Sequence, residues 1–387
     1  MKKIAVVTTT RAEYGLLRPV ILELRRYENE SLKVDLLVSG THLSEKFGMT
    51  INEIKKDRLR IDYEIPITLD TDSPIAISKN QADALVKFTE IFVQKCYNGV
   101  ILLGDRYEML AIAIAACNTQ TPIFHISGGD VTEGAIDDCI RHSITKMSYL
   151  HFSTNEESMK RIIQLGESSN RVFNYGSTSI DNIMHMPFLS KKEAMQSVNC
   201  KNDRFAVCTY HPVTLEKNNL NEQMNNFFEA IATFPEIDFI VTKSNADQGG
   251  AFINTLLDSK VYELKNMHVF PSLGVLRYLS LVKYSQFVLG NSSSGIVEVP
   301  AFGIPTINIG DRQKGRLRCD SVIDCMSDRD SIIEAIHLAL SDDFNDISKK
   351  VVSPFGDGNA APRIAKKCME TVNNVIDLKK KFYDLEL

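Results

Sequence analysis

No apolar stretch of this 387-residue chain reaches the ~18 residues that a membrane-spanning helix needs, so no membrane partner is expected. Nor is there an excess of positive charge. Lys and Arg number 44 against 49 Asp and Glu, for a net charge of -5, so no global field exists to hold nucleic acid or an anionic surface. A phosphate ligand would have to be met by local basic residues. No C-x-x-C pair occurs among the eight cysteines, Cys96, Cys117, Cys139, Cys200, Cys208, Cys319, Cys325 and Cys368. Several lie in apolar runs, such as Cys117 in AIAIAAC and Cys208 in FAVCTY, and they read as buried, reduced thiols. Tandem repeats and low-complexity segments are missing too. The N-terminus, MKKIAVVTTTRAEYG, has too short an apolar run for a signal peptide and reads as a strand, so a cytoplasmic protein is expected.

What is present is ordinary globular composition, 44% hydrophobic and 24% charged, which excludes disordered, collagen-like and disulfide-scaffold chains. The length suggests two domains, or three. Short apolar segments alternate with helical ones. In the first half, strands are expected at Ile4–Thr8, Leu32–Val38, Gly99–Leu103, Pro122–Ile126, Tyr149–Ser153 and Val172–Tyr175. Helices are expected between them, at Leu16–Arg26, Ile75–Lys95, Tyr107–Cys117, Asp137–Ser148 and Glu156–Leu165. The pattern restarts with strands at Phe205–Thr209, Asp238–Val241, Met267–Phe270, Gln286–Leu289 and Pro305–Ile309. A helix at Gly295–Phe302 and a long amphipathic tail helix, Ala361–Lys381, are also expected. This alternation argues for an α/β fold with parallel sheets, as two Rossmann-like doubly wound domains. The expected division is 1–176 and 177–360, with the boundary in the polar stretch Gly176–Lys201.

In open α/β sheets, ligands bind beyond the carboxyl ends of the strands. Those positions are unusually polar here. Arg11, in TTTRAEYG, opens the first helix; it is either an anion-binding guanidinium or a surface arginine held by a nearby carboxylate. In GNSSSGIVEVP, Ser292 and Ser293 offer hydroxyl and backbone donors at a helix start, suited to a diphosphate, where a plain serine cap is the alternative. Glu298, a turn further on, suits a sugar diol such as ribose. Asp105, in LLGDRYE, is a site carboxylate or the cap of the next helix. In HISGGDVTEGAIDDCIRH, Asp130, Asp137 and Asp138 could converge and raise one another's pKa for acid–base work, or the latter two could complement the helix dipole. The His and Asp spacings match no familiar metal pattern. His211, in TYHPVTLE, follows a strand and is read as a ligand or catalytic residue.

Taken together, TRAEYG, GDRYE, HISGGD…IDDCIRHSITK, HPVT, SNAD, GNSSSGIVEVP and INIGDRQKGR resemble the UDP-N-acetylglucosamine 2-epimerases, most closely the hydrolysing branch of bacterial sialic acid synthesis. The resemblance runs from Lys3 to about Asp357. It implies a two-domain fold of the glycosyltransferase-B type, with the nucleotide in the interdomain cleft and the C-terminal helix (361–387) packed back on domain one. The implied UDP contacts are Arg11, Arg106, His211, Asn245, Ser292, Ser293, Glu298 and Arg312. The implied catalytic groups are Asp105, Asp130 and Asp137, with His211. No metal and no cofactor is implied, and the expected partners are a UDP-sugar and further copies of the chain, as a homodimer or homotetramer. The implied reaction converts UDP-N-acetylglucosamine and water to N-acetylmannosamine and UDP. One departure stands out: many relatives carry a carboxylate at the position of Ser127. Relatives acting on a 2,4-diacetamido-trideoxy sugar share most of these motifs, so that substrate is the alternative. A non-hydrolysing epimerase, a glycosyltransferase and a nucleotide-sugar sensor are the other readings.

Overall fold

The structure is a computed structural model and describes residues 1–69, 73–133, 136–212, 219–244 and 249–384. The chain forms two compact units. The first comprises Met1–Asp130, Asp137–Met184 and Phe355–Leu387; the second comprises Val131–Ile136 and His185–Pro354.

In the first unit the strands are β1 (Lys2–Thr8), β2 (Leu32–Ser39), β3 (Tyr63–Ile65), β4 (Gly99–Leu103), β5 (Ile123–Ile126), β6 (Leu150–Ser153) and β7 (Val172–Asn174). The helices are α1 (Arg11–Arg26), α2 (Ile51–Lys56), α3 (Pro74–Lys95), α4 (Tyr107–Asn118), α5 (Asp137–Met147), α6 (Glu156–Gln164) and α7 (Thr178–His185). All strands run parallel, in the order β3-β2-β1-β4-β5-β6-β7. Residues of β1 alternate between two cores: Ile4 and Val6 pack with Leu17, Val20, Ile21 and Leu24 of α1, while Ala5 and Val7 pack with Met109, Ile112 and Ala113 of α4. Burial on both faces is why the strand reads as a continuous apolar run.

The second unit repeats the plan with β8 (Phe205–Thr209), β9 (Asp238–Thr242), β10 (Met267–Phe270), β11 (Val288–Gly290), β12 (Thr306–Ile309) and β13 (Val322–Cys325). Its helices are α8 (Lys191–Gln196), α9 (Leu220–Ala232), α10 (Gly250–Lys260), α11 (Gly274–Tyr284), α12 (Ser293–Val297), α13 (Arg329–Leu340) and α14 (Asp342–Lys349). The order is β10-β9-β8-β11-β12-β13, again all parallel. The chain then returns to the first unit as α15 (Ala360–Asn373), whose Ile364, Ala365, Cys368 and Val372 share the core of α1. Strand order reverses between β1 and β4, and between β8 and β11. These are the switch points where doubly wound sheets bind ligands.

Several expectations need correction. The tail helix stops at Asn373, not Lys381, because Asn374 turns extended (ψ 171°) and Val375 beyond it is 97% exposed, with no apolar face left to bury. In place of one helix over 295–302, the five-residue α12 begins earlier, at Ser293, and ends at Val297, and a 3-10 turn, Val299–Phe302, follows with Pro300 near its start. Cys208 and Cys368 are buried as expected, whereas Cys96, Cys117 and Cys139 are exposed. Cys117 sits at the last turn of α4, where an apolar run has outlasted the core it packs on. Among the described residues, no helix is long and apolar enough to cross a membrane.

Candidate active site

In the first unit, α1 begins where β1 ends. Thr10 caps the helix and Glu13 completes the reciprocal capping box, its Oε2 accepting from the Thr9 and Thr10 amides at 2.7 and 3.1 Å. Burial lifts the Glu13 carboxyl to about 7, although Arg106 and these donors pull the other way. Arg11, the first residue of α1, is half-buried; burial lowers its pKa while Glu53 opposes that effect. Nearby, burial pushes His42 down to about 4, so the ring is neutral, between Thr8 Oγ1 at 3.0 Å and Thr50 Oγ1 at 2.8 Å.

Across the switch point, Gly104 takes a left-handed φ of +82° at the end of β4 and turns the chain into Asp105. Asp105 does not cap α4: Arg106 holds that position, without a capping bond, and reaches Glu108 Oε2 at 3.3 Å. Asp105 instead receives Arg141 of α5, with Nε donating to Oδ2 at 2.7 Å and Nη2 donating to the same oxygen. Nη1 of Arg141 donates to the Asp130 carbonyl at 2.8 Å and approaches Asp138 Oδ1 at 3.4 Å. The guanidinium is buried. Burial opposes its charge, yet Asp105, Asp130 and Asp138 together hold its pKa above the ordinary value.

The Asp130 side chain points elsewhere. Its Oδ1 accepts from Ser158 Oγ at 2.5 Å, and Thr154 Oγ1 lies at 3.3 Å. The Gly-Gly turn before it is dictated by packing: a Cβ on Gly128 would come within 2.9 Å of His125 Nδ1, and one on Gly129 (φ +83°) would strike the Ser158 carbonyl. Ser127 itself is left-handed, at φ +65°. Asp137 and Asp138 form the first turn of α5, both half-buried. A buried cation therefore stands among the acidic residues expected to repel one another.

In the second unit, Gly290 ends β11 at φ +140°, pressed so close to β8 that a Cβ there would collide with the Thr209 carbonyl. Asn291 follows and clamps the segment after β8, its Oδ1 accepting from the His211 amide at 2.7 Å and its Nδ2 donating to the His211 carbonyl at 2.8 Å. The His211 ring is buried, with Nδ1 3.1 Å from Ser244 Oγ. Ser292 caps α12 and accepts from the Ser294 amide at 3.4 Å, and Ser293 is the first residue of the helix. Glu298 takes a hydrogen bond from Ser294 Oγ, which in turn accepts from Tyr278 Oη at 2.9 Å; burial raises the Glu298 pKa despite that bond. Arg312 Nη1 donates to the Asn291 carbonyl at 3.1 Å, and Gln313 Nε2 does so at 2.9 Å. His211, Ser292, Ser293 and Arg312 thus gather around Asn291. Asn245 lies outside the described residues.

Sequence reasoning passes over Arg141 and Glu13 as site residues, and it marks Asn291 only as one of the polar residues after a strand. Glu13 had a signal, since Thr10-Arg11-Ala12-Glu13 fits the S/T-x-x-E capping box. Arg141 had none, because its partner Asp105 lies 36 residues away, and the clamp of Asn291 on His211, 80 residues away, was equally hidden.

The family model described as UDP-N-acetylglucosamine 2-epimerase matches residues 25–369. The chain belongs to that family. A relative from Campylobacter jejuni, a GDP/UDP-N,N'-diacetylbacillosamine 2-epimerase (hydrolyzing), is 41% identical over 99% of each chain. Polysialic acid biosynthesis protein P7 of Escherichia coli is 38% identical over 100% of this chain and 98% of its own. Among solved structures, the UDP-GlcNAc 2-epimerase of Neisseria meningitidis bound to UDP-GlcNAc has a TM-score of 0.80 at 19% identity, over 96% of this chain and 100% of that one. The last likeness shows the fold: each unit of this epimerase-family chain has the doubly wound plan that the glycosyltransferase-B resemblance implied.

Proposed function

We propose that the chain is a hydrolysing UDP-sugar 2-epimerase whose substrate is UDP-linked N,N'-diacetylbacillosamine, a 2,4-diacetamido-2,4,6-trideoxy sugar. The observation that carries this choice is the end-to-end 41% identity to the Campylobacter jejuni enzyme of that description. Ser127 supports it, because the resemblance to the N-acetylglucosamine branch leads one to expect a carboxylate there.

The chemistry assigned to the residues is an elimination followed by a hydration. UDP leaves C1 through an oxocarbenium-like transition state and a base takes the C2 proton, leaving a glycal. Water then adds at C1 while C2 is reprotonated on its other face, giving the free 2-epimer and UDP. Ser292, Ser293, Arg312 and His211 are assigned to the nucleotide, with Arg11 and Arg106 countering the departing diphosphate. Glu298 and Asn245 are assigned to the nucleoside. Asp105, Asp130 and Asp137 share the proton transfers. Asp105, held by two nitrogens of the Arg141 guanidinium, has a fixed orientation for that role.

UDP-N-acetylglucosamine is the second reading, favoured by the full-length likeness to polysialic acid biosynthesis protein P7. Parallel turnover of the two UDP-sugars decides between them. The proposal expects the larger kcat/KM with the diacetamido sugar; a larger value with UDP-N-acetylglucosamine overturns the substrate assignment.

A further inference from the structure

Beyond α15 the chain runs on through residues 374–384 in irregular conformation, past the end of the family match at residue 369. This segment is nonetheless closely held. Its anchor is Lys380, whose ammonium has three donors. One goes to Glu167 Oε2 at 2.6 Å, and the others go to the carbonyls of Lys146 and Ser148 at 2.9 and 2.7 Å.

Lys146 lies in the last turn of α5 and Ser148 just beyond it. The last four carbonyls of a helix have no partner within it. Here the Ile144 carbonyl accepts from Ser148 Oγ at 2.7 Å and the Thr145 carbonyl from the Ser148 amide at 3.1 Å, while Lys380 supplies the donor for Lys146. A cation at that end also meets the negative pole of the helix dipole. Glu167, almost fully buried, holds the ammonium in place and is itself bound to Lys146 Nζ at 2.6 Å and His151 Nε2 at 3.0 Å. Burial would raise Glu167, but these hydrogen bonds hold it at about 2, ionised throughout the working range. Two residues on, the Phe382 ring lies over Gly166 and 4.9 Å from Lys146 Nζ, and the Tyr383 amide donates to the Gly166 carbonyl at 3.0 Å.

The helix fastened in this way bears Asp137 and Asp138 in its first turn and Arg141 in the next. The same cluster also reaches toward Asp105 by a second route. His151 is the register partner of His125, whose Nε2 donates to the Gly104 carbonyl at 2.8 Å, one residue before Asp105. We propose that residues 375–384 form a strap that positions α5 for the proton transfers, with Lys380 as its positioning residue. This rests on the proposed roles of Asp105 and Asp137, since the strap touches neither.

The test uses the full-length protein with Lys380→Met, Lys380→Arg and Phe382→Ala. Positional errors transmitted from outside a site cost up to about a hundredfold in rate. Lys380→Met should therefore lower kcat roughly ten- to a hundredfold while KM and UDP affinity stay within about twofold. Lys380→Arg should recover most of the loss, and Phe382→Ala should lower kcat in the same direction but less. Amide exchange should quicken in α5 and remain unchanged in β8 and β11. A folded Lys380→Met protein with wild-type kcat overturns the strap, as does loss of kcat and UDP affinity together, or an arginine variant no better than methionine. If the wild-type protein turns over no UDP-sugar, the proposed function falls separately. The strap is then judged on exchange alone, and unchanged α5 protection in Lys380→Met overturns it.

Discussion

Arg141 and Asp105 lie 36 residues apart in sequence and meet through two guanidinium nitrogens on one carboxylate oxygen, Oδ2. Breaking a fully buried pair costs about 3–5 kcal/mol, and less is expected here, because Asp105 is half-buried and Arg141 keeps the Asp130 carbonyl and Asp138. Asp105→Asn should therefore lower the melting temperature. If Asp105 also moves a proton, turnover should fall by about 10²–10⁴-fold while UDP affinity changes only a few fold. A destabilised variant that keeps turnover within a few fold would make Asp105 an anchor for Arg141 and nothing more.

Ser292 and Ser293 make a different prediction. The Ser292 cap is worth about 1 kcal/mol to a helix of five residues, so the double alanine variant should fold. A hydrogen bond to a charged group contributes about 1.5–3 kcal/mol. UDP affinity measured by calorimetry should fall at least about tenfold. Unchanged affinity in a folded variant removes these hydroxyls from the nucleotide's contacts.

Glu13 predicts a pH dependence. Its folded pKa of about 7 lies above the ordinary 4.5, so the native state holds the proton more tightly. The stability this adds is full below pH 4.5 and is lost as pH rises to about 7. His42 and His125, both pushed down to about 4 by burial, act oppositely: their stability is full above pH 6.5 and is lost as pH falls toward 4. Glu13→Gln isolates the first effect. The difference in unfolding free energy between variant and wild type should move in the variant's favour from pH 4.5 to 7 and then level off. A difference independent of pH would show that Glu13 titrates normally.

Much of the architecture was legible because strands buried on both faces are short apolar runs, as in GVILL of β4 and FAVCT of β8. The short edge strands β3 and β13 were not, since YEI and VIDC carry charge and bury little. Val375, Leu378 and Phe382 keep helical spacing with lysines between them, a pattern that in sequence does not differ from an amphipathic helix. In the structure, Val375 and Phe382 stay largely exposed and polar contacts of Lys380 set the path instead. In the candidate site, the residues following strands could be read from topology. Their orientation could not: Asp130 turns to Ser158, and Asp105 to Arg141, through contacts that no local pattern encodes.

The most direct test of the account is the reaction in heavy water, followed by NMR at C2 of the sugar and at the nucleotide. Loss of UDP with removal of the C2 proton predicts a free sugar, inverted at C2 and carrying deuterium there, with one equivalent of UDP. A product that still bears UDP, or a free sugar with protium and unchanged configuration at C2, would contradict it.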